Sequence, residues 1–297
     1  MRICNACGSS DCDDAWTCAG CGNAPVTIDG FKAFAPDLAL ENEGFREAYF
    51  GALADLEAGN FWFRARNELI VWALQTYFPG PRTFLEIGCG TGFVLGGIHA
   101  ADPSIELSGS EIFSAGLRFA AARVPLAQFW QMDARHIPFR EQFDVVGAFD
   151  VLEHIEDDES VIAEVGRALR PGGGFLVSVP QHPSLWSPQD VHAHHVRRYT
   201  ARELRRMVEV AGFEVVRMTS FVSLLLPMMV ASRLRACEAA AEDFDAIDTL
   251  RLPGPVNIVL EAVMTIERSL IRRGVSFPAG GSLLMVARKR SEAIGRP

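Results

Sequence analysis

Phe84-Leu85-Glu86-Ile87-Gly88-Cys89-Gly90-Thr91-Gly92 decides how the rest of the chain is read. An apolar run meets three glycines at alternate positions and is followed by Phe93-Val94-Leu95, the pattern of a strand that turns tightly into a helix. Glycine permits the turn and lets the backbone approach a ligand closely, and the helix N-terminus offers free N–H groups. The spacing is G-x-G-x-G. The position that would complete G-x-G-x-x-G is Phe93, so the dinucleotide fingerprint lacks the glycine it needs for close helix packing. Nor does the turn resemble G-x-x-x-x-G-K-[S/T], which argues against a nucleoside triphosphate site.

Outward from this turn, residues 82–219 alternate short apolar runs with helical stretches. Strands are expected at 83–87, 105–110, 127–132, 143–149, 174–179 and 213–218, and helices near 93–101, 114–122, 158–169 and 201–211. Such alternation specifies a parallel sheet covered on both faces. Upstream, 41–78 reads as helical, with Phe45, Tyr49, Leu53, Leu56, Leu69 and Trp72 at three- and four-residue steps, and Pro79-Gly80-Pro81 ends it. Downstream, 220–281 is a hydrophobic helical insertion with helices expected at 224–234 and 256–272. One more strand at 282–287 and a polar, basic tail from Arg288 to Pro297 close the chain.

Polar groups stand at the carboxyl ends of these strands, where open α/β sheets bind ligands. Glu111 lies 19 residues after Gly92, where a carboxylate can accept from both hydroxyls of a ribose; its alternative reading is a helix N-terminal carboxylate. Asp133 ends the third strand, in place to face an adenine amine or to serve a turn. Phe143-Asp144-Val145-Val146 leads to Asp150-Val151-Leu152-Glu153-His154, a further strand with a polar end.

With these residues in view, Leu85 to Gly92 resembles motif I of the class I S-adenosylmethionine-dependent methyltransferases, in a bacterial, type 11-like form. Gln131-Met132-Asp133-Ala134 with Ile137-Pro138-Phe139 resembles the family's segment before strand four. Phe143-Asp144 through Leu152-Glu153-His154 resembles its motif IV, and Leu169-Arg170-Pro171-Gly172-Gly173-Gly174 its turn before strand five. The resemblance covers roughly 61–219 and the last strand. It implies S-adenosylmethionine as methyl donor, with Glu86, Gly88, Gly90 and Gly92 bordering its methionine part. By the same resemblance Glu111 and Ile112 hold the ribose, Asp133 and Ala134 the adenine, and the Asp150 backbone lies near the sulfonium. Phe61-Trp62-Phe63-Arg64-Ala65-Arg66-Asn67 looks like a segment that precedes motif I in bacterial members and implies that Arg66 approaches the donor's carboxylate.

Methyl transfer is an in-line displacement, so the protein chiefly aligns the groups and keeps them dry; a base is needed only where the acceptor loses a proton. His182, His192, His194 and His195 precede Arg197-Arg198-Tyr199-Thr200 and supply candidate bases. His195 is the expected catalytic residue, because 195–200 resembles an acceptor-side segment of a bacterial subset of the family. The other readings are a metal-binding loop, or polar residues around a helix capped by Thr200 with Glu203 completing a capping box.

Cys4-x-x-Cys7-Gly8 and Cys18-x-x-Cys21-Gly22 are two matching knuckles with a ten-residue spacer. Paired thiolates on tight turns suit a structural, four-coordinate Zn²⁺, with a redox dithiol or iron–sulfur site as the alternative; Cys12 is left over. Five of the seven cysteines fall in the first 21 residues, with Cys89 and Cys237 far apart, which suggests a reducing, cytoplasmic compartment. The N-terminus has no apolar stretch of a secretory signal.

The expected fold class is therefore α/β: a Rossmann-like, doubly wound, mainly parallel seven-stranded sheet, with a small N-terminal zinc ribbon and a helical insertion before the last strand. The expected units are the ribbon at 1–25, the core at 41–219 plus 282–290, and the insertion at 220–281. The insertion reads as a cap, as a lid over the acceptor cleft, or as a peripheral contact through 221–275 with the inner face of a membrane, where Arg233, Arg235, Arg268, Arg272 and Arg273 would face headgroups. The expected activity is methyl transfer to a small or lipid-linked metabolite. Its rivals are an RNA methyltransferase docked by the ribbon and a non-catalytic donor-binding module. A net charge of −9 weighs against nucleic acid, whose binding is largely counterion release by Lys and Arg.

Overall fold

The computed structural model describes residues 1–39, 47–236 and 250–291. The expected helical positions 41–46 (Phe45 among them), the insertion residues 237–249 with Cys237, and the tail 292–297 lie outside the described residues.

The chain opens with the two cysteine knuckles and a short hairpin, β1 (Val26–Ile28) and β2 (Phe31–Ala33). Helices α1 (Pro36–Ala39), α2 (Glu47–Glu57) and α3 (Phe61–Tyr77) lead to β3 (Thr83–Ile87). Alternation then sets in: α4 (Phe93–Ala101), β4 (Glu106–Glu111), α5 (Ser114–Arg123), β5 (Gln128–Gln131) and β6 (Phe143–Phe149). After α6 (Asp158–Ala168) comes the long β7 (Leu169–Pro180), then α7 (Pro188–His192), α8 (Ala201–Val210) and β8 (Phe213–Phe221). The insertion contributes α9 (Leu226–Ala236) and α10 (Gly254–Arg272) before β9 (Ser282–Lys289).

The strands form one sheet in the order β1-β2-β5-β4-β3-β6-β7-β9-β8. From β5 to β7 every pairing is parallel, and β9 runs antiparallel to both β7 and β8. Burial on both faces explains why the central strands read as continuous apolar runs. Alternate residues divide the two cores, Leu85 and Ile87 packing into one and Phe84 into the other.

The expected seven strands are β3 to β9; the sheet has nine. The correction comes from the hairpin at residues 26–33, whose three-residue strands are too short to show alternation. Its signal was the Asp29-Gly30 pair, which adopts φ 51° and 87°, the doubly positive turn that suits tight hairpins. β2 pairs parallel to β5, and the Gln131 side chain both accepts from Ala35 N–H (3.1 Å) and donates to Ala35 C=O (2.7 Å). Buried Trp16 joins the cysteine knuckles to the core, with its ring edge-to-face against Phe34 (4.8 Å) and Phe139 (5.3 Å).

The insertion is fastened to α3. Asn257 Oδ1 accepts from Phe61 N–H (2.8 Å), and Arg64 pairs with Glu261 (3.0 Å). Buried Glu267 accepts from Ser223 and Leu224 N–H at 2.7 Å each, fixing the chain ahead of α9. Val256, Ile258, Val259 and Ile266 stay exposed on α10. Among the described residues, no helix is long and apolar enough to cross a membrane.

Candidate functional site

The strand order reverses at β3, with β4 on one side and β6 on the other, and a crevice opens beyond their carboxyl ends. It holds a cavity of about 760 Å³. The glycine turn forms its floor. Gly88, Gly90 and Gly92 take φ of 64°, 50° and 73°, a region in which side chains are strained. A Cβ on Gly88 would come 2.5 Å from Val151 Cγ2, and one on Gly92 would come 2.9 Å from the Ala120 backbone. Gly88 and Gly90 line the cavity, whereas Gly92 sits behind it as the cap of α4.

Glu111 leaves the end of β4 and turns back toward the glycines. Its Oε2 accepts from Gly90 N–H (3.0 Å), and Oε1 accepts from Ile112 (2.8 Å) and Phe113 (3.3 Å) N–H. The carboxylate thus holds the two backbone N–H groups ahead of α5 and also lines the cavity. Burial pushes its pKa up, partly offset by those backbone donors. Glu86, at the floor, is raised further by burial although Arg66 draws it down, and its Oε2 has no partner.

Asp133 and Ala134 line the far wall beyond β5. Arg135 binds both Asp133 oxygens through Nε (3.0 Å each) and donates its N–H at 2.9 Å. Burial raises the Asp133 pKa, but the Arg135 hydrogen bonds outweigh it and the net shift is downward. Asp150 follows β6 with φ 57° and forms an ion pair with Arg66. The Arg66 guanidinium stacks on Trp62 at 4.8 Å, which fixes its direction, and its Nε has no partner. Arg66 and Asp150 therefore meet across the mouth, a pairing that each one's separate role did not anticipate.

His154, His194 and His195 line the same cavity, while His182 and His192 do not. His192 Nε2 instead meets Tyr49 Oη at 2.9 Å. His195 Nδ1 lies 2.9 Å from Asp190 Oδ1, and Asp190 also takes Arg198 Nε (2.7 Å), Ser187 N–H (2.9 Å) and Ser187 Oγ (3.0 Å). Burial opposes ionisation of Asp190, but His195 and Arg198 bring its pKa down to about 2. His154 keeps an exposed surface in the cavity wall, yet local desolvation and the adjacent His195 bring its pKa down to about 4. The Thr200–Glu203 capping box is present at the start of α8.

Three functional groups escaped the sequence reading. Asp190 had a local signal, since Ser187 and Asp190 form a capping box like that of Thr200 and Glu203. Glu153 was visible only as part of a motif. Glu57 binds Thr91 Oγ1 (2.7 Å) and Arg123 (2.9 Å), tying α2 over the glycine turn; no sequence signal marks a partnership that spans 66 residues.

The four ribbon cysteines converge as the spacing implied. Cys4 and Cys21 sulfurs lie 3.7 Å apart, Cys7 and Cys18 sulfurs 3.5 Å apart, and all four lie within 4.8 Å of one another. A tetrahedral zinc with bonds of about 2.3 Å requires sulfurs about 3.8 Å apart, so the set fits that ion. The knuckles are built alike: Gly8 N–H donates to Cys4 C=O (2.7 Å) and Gly22 N–H to Cys18 C=O (2.8 Å). Backbone N–H of Cys21 leads the contacts that lower Cys18 to about 6. Cys12 bridges the Cys18 backbone but stands outside the four-sulfur set.

Comparison with known proteins places this geometry. A methyltransferase-domain family model matches residues 58–218. A Mycolicibacterium smegmatis protein described as "Probable S-adenosylmethionine-dependent methyltransferase" is 35% identical over 159 residues, 52% of this chain and 60% of the relative. An O-methyltransferase of Penicillium expansum is 30% identical over 149 residues, 46% of this chain and 53% of the relative. The matched stretch thus spans less than two thirds of either relative. In fold, phosphoethanolamine N-methyltransferase 2 of Haemonchus contortus, solved with S-adenosyl-L-methionine, superposes with TM-score 0.55 at 17% identity, covering 82% of this chain and 57% of that one.

Proposed function

The chain belongs to the methyltransferase-domain family, and from that premise we propose that it transfers a methyl group from S-adenosylmethionine to a small or lipid-linked metabolite. The observation that carries the reading is the Glu111 carboxylate at the cavity wall, locked by three backbone N–H groups beside the glycine turn, with one acceptor position left on Oε2 for a ribose hydroxyl. When bound, the donor supplies a methyl on positive sulfur, which leaves as a neutral thioether.

The residues divide the work along the cavity. Gly88 and Gly90 leave room for the methionine part, because a Cβ on Gly88 would collide and one on Gly90 would be strained. Unpartnered Glu86 Oε2 is placed for the ammonium, and Arg66 for the carboxylate once it loosens from Asp150. Glu111 and Ile112 take the ribose; Asp133 and Ala134 take the adenine edge, the adenine amine replacing part of the Arg135 contact that now engages both Asp133 oxygens. Phe50, Leu53 and Phe63 give the cavity an apolar lining, and a drier site strengthens each of these polar contacts. His195, oriented by Asp190, stands on the acceptor side. The exposed apolar face of α10 supports a lipid-linked acceptor held at a membrane surface.

The four-cysteine module is read as a structural zinc ribbon. It leaves no open coordination position, so it contributes shape, docked on the core through Trp16.

Incubating the protein with methyl-labelled S-adenosylmethionine and host extract, then separating lipid, RNA and small-molecule fractions, tests the reading. Label is expected in the lipid or small-molecule fraction. Label confined to RNA would overturn the acceptor class, and none in any fraction would overturn methyl transfer.

A further inference from the structure

Glu153 is 0% exposed, and neither of its carboxylate oxygens has a hydrogen-bond partner. Burial, and next the neighbouring Asp150, push its pKa well up, so the ionised form is costly unless a counter-charge reaches it. Its neighbours are suited to hold one. Single ligand atoms of Glu153, His154 and His195 lie within 4.8 Å of one another, and the two imidazoles meet nearly at right angles with centroids 4.8 Å apart.

The three side chains come from separate places that the backbone ties together. Glu153 and His154 occupy a single helical turn after β6, His195 follows α7, and Val196 N–H donates to Glu153 C=O at 2.7 Å. Asp190 engages His195 at Nδ1, which leaves Nε2 for another partner. A carboxylate behind a histidine is the arrangement that fixes the orientation of a metal-binding imidazole. Asp190 is itself held by Ser187 and Arg198, so the support is rigid.

We propose that Glu153, His154 and His195 bind one divalent cation at the acceptor end of the cavity, and that the acceptor is a hydroxyl compound methylated on oxygen. Two imidazoles and one carboxylate leave coordination positions open, and His154 and His195 face the cavity. The cation takes the acceptor hydroxyl and lowers its pKa, so the proton leaves to solvent. An oxygen lone pair then forms the new O–C bond to the methyl carbon while the C–S pair goes to sulfur, giving an ether and a neutral thioether. This assignment rests on the methyl-transfer reading above and makes His195 a ligand, not a base.

Calorimetric titration of Mn²⁺ into the full chain tests it, because Mn²⁺ prefers oxygen and nitrogen ligands to the ribbon's thiolates. One Mn²⁺ per chain is expected. Glu153→Gln and His195→Gln should each weaken it by about tenfold or more, while S-adenosylmethionine binding by the same variants reports that they are folded. No Mn²⁺ binding, or binding indifferent to both substitutions, would overturn the site. Mn²⁺ binding without donor binding in the unaltered protein would support the site and overturn methyl transfer. In the labelled product the methyl should be on oxygen; a methyl on nitrogen or carbon would overturn the acceptor class.

Discussion

Glu111 is the side chain on which the proposed donor site rests, and three backbone donors fix both of its oxygens before a ligand arrives. Glu111→Ala should therefore weaken S-adenosylmethionine binding by about 1–3 kcal/mol, roughly 5- to 150-fold; calorimetry reads this, and unchanged affinity would reject the assignment. Asp144 is the matching case for stability. It accepts from Arg82 (2.8 Å) and Thr83 (3.1 Å) N–H and pairs with Arg170, so it joins the start of β3 to the turn before the apolar part of β7. Burial raises its pKa, but Arg170 and the two N–H groups bring the net value below the ordinary carboxylate range. A depressed carboxylate stabilises the fold above its unfolded-state pKa and loses that contribution as pH falls through the folded value. Asp144→Asn should cost about 1–2 kcal/mol at pH 7, and the deficit should shrink in urea titrations carried toward pH 3. A deficit independent of pH would show that the charge has no part in it. At this scale the glycines and Glu111 were legible, because local spacing marks them. The Arg66–Asp150 and Glu57–Arg123 pairs were not, because each joins positions more than 60 residues apart.

Among the elements, long periodic segments were read correctly and short ones were missed. Strands β3 and β6 and helix α4 fall at their expected limits, since buried parallel strands and the glycine turn leave strong patterns. The hairpin of β1 and β2 escaped because three residues cannot establish a period, and its Asp29-Gly30 turn was the one usable sign. That hairpin matters, because it continues the sheet at β5 and leads from the cysteine knuckles into the core. Trp16 forms the other half of the junction. Trp16→Ala should cost about 3–5 kcal/mol of docking, read as a lower melting temperature and faster proteolysis between residues 25 and 47; a melting curve and cleavage rate unchanged by the substitution would contradict the junction. Metal analysis should find one zinc in the ribbon, lost on Cys18→Ser with Cys21→Ser, and a zinc content unaffected by that pair would remove the ribbon's metal.

Taken whole, the molecule joins three structures: a doubly wound sheet whose order reverses at β3, a cysteine module on one edge, and a helical insertion fastened to α3. His154 and His195 share the cavity with the glycine turn, and buried Glu153 lies against these two imidazoles. The sequence pattern was informative about the glycine turn because backbone geometry constrains it. It singled out His195 but not its convergence with Glu153 and His154, which arises only after folding, and fold alone does not choose an acceptor. The most direct measurement is a calorimetric titration of S-adenosylmethionine into the full chain. Saturable binding of one donor per chain is expected, with S-adenosylhomocysteine competing for the same site. An absence of binding heat at several temperatures, with the protein folded, would contradict the donor site on which the whole account is built.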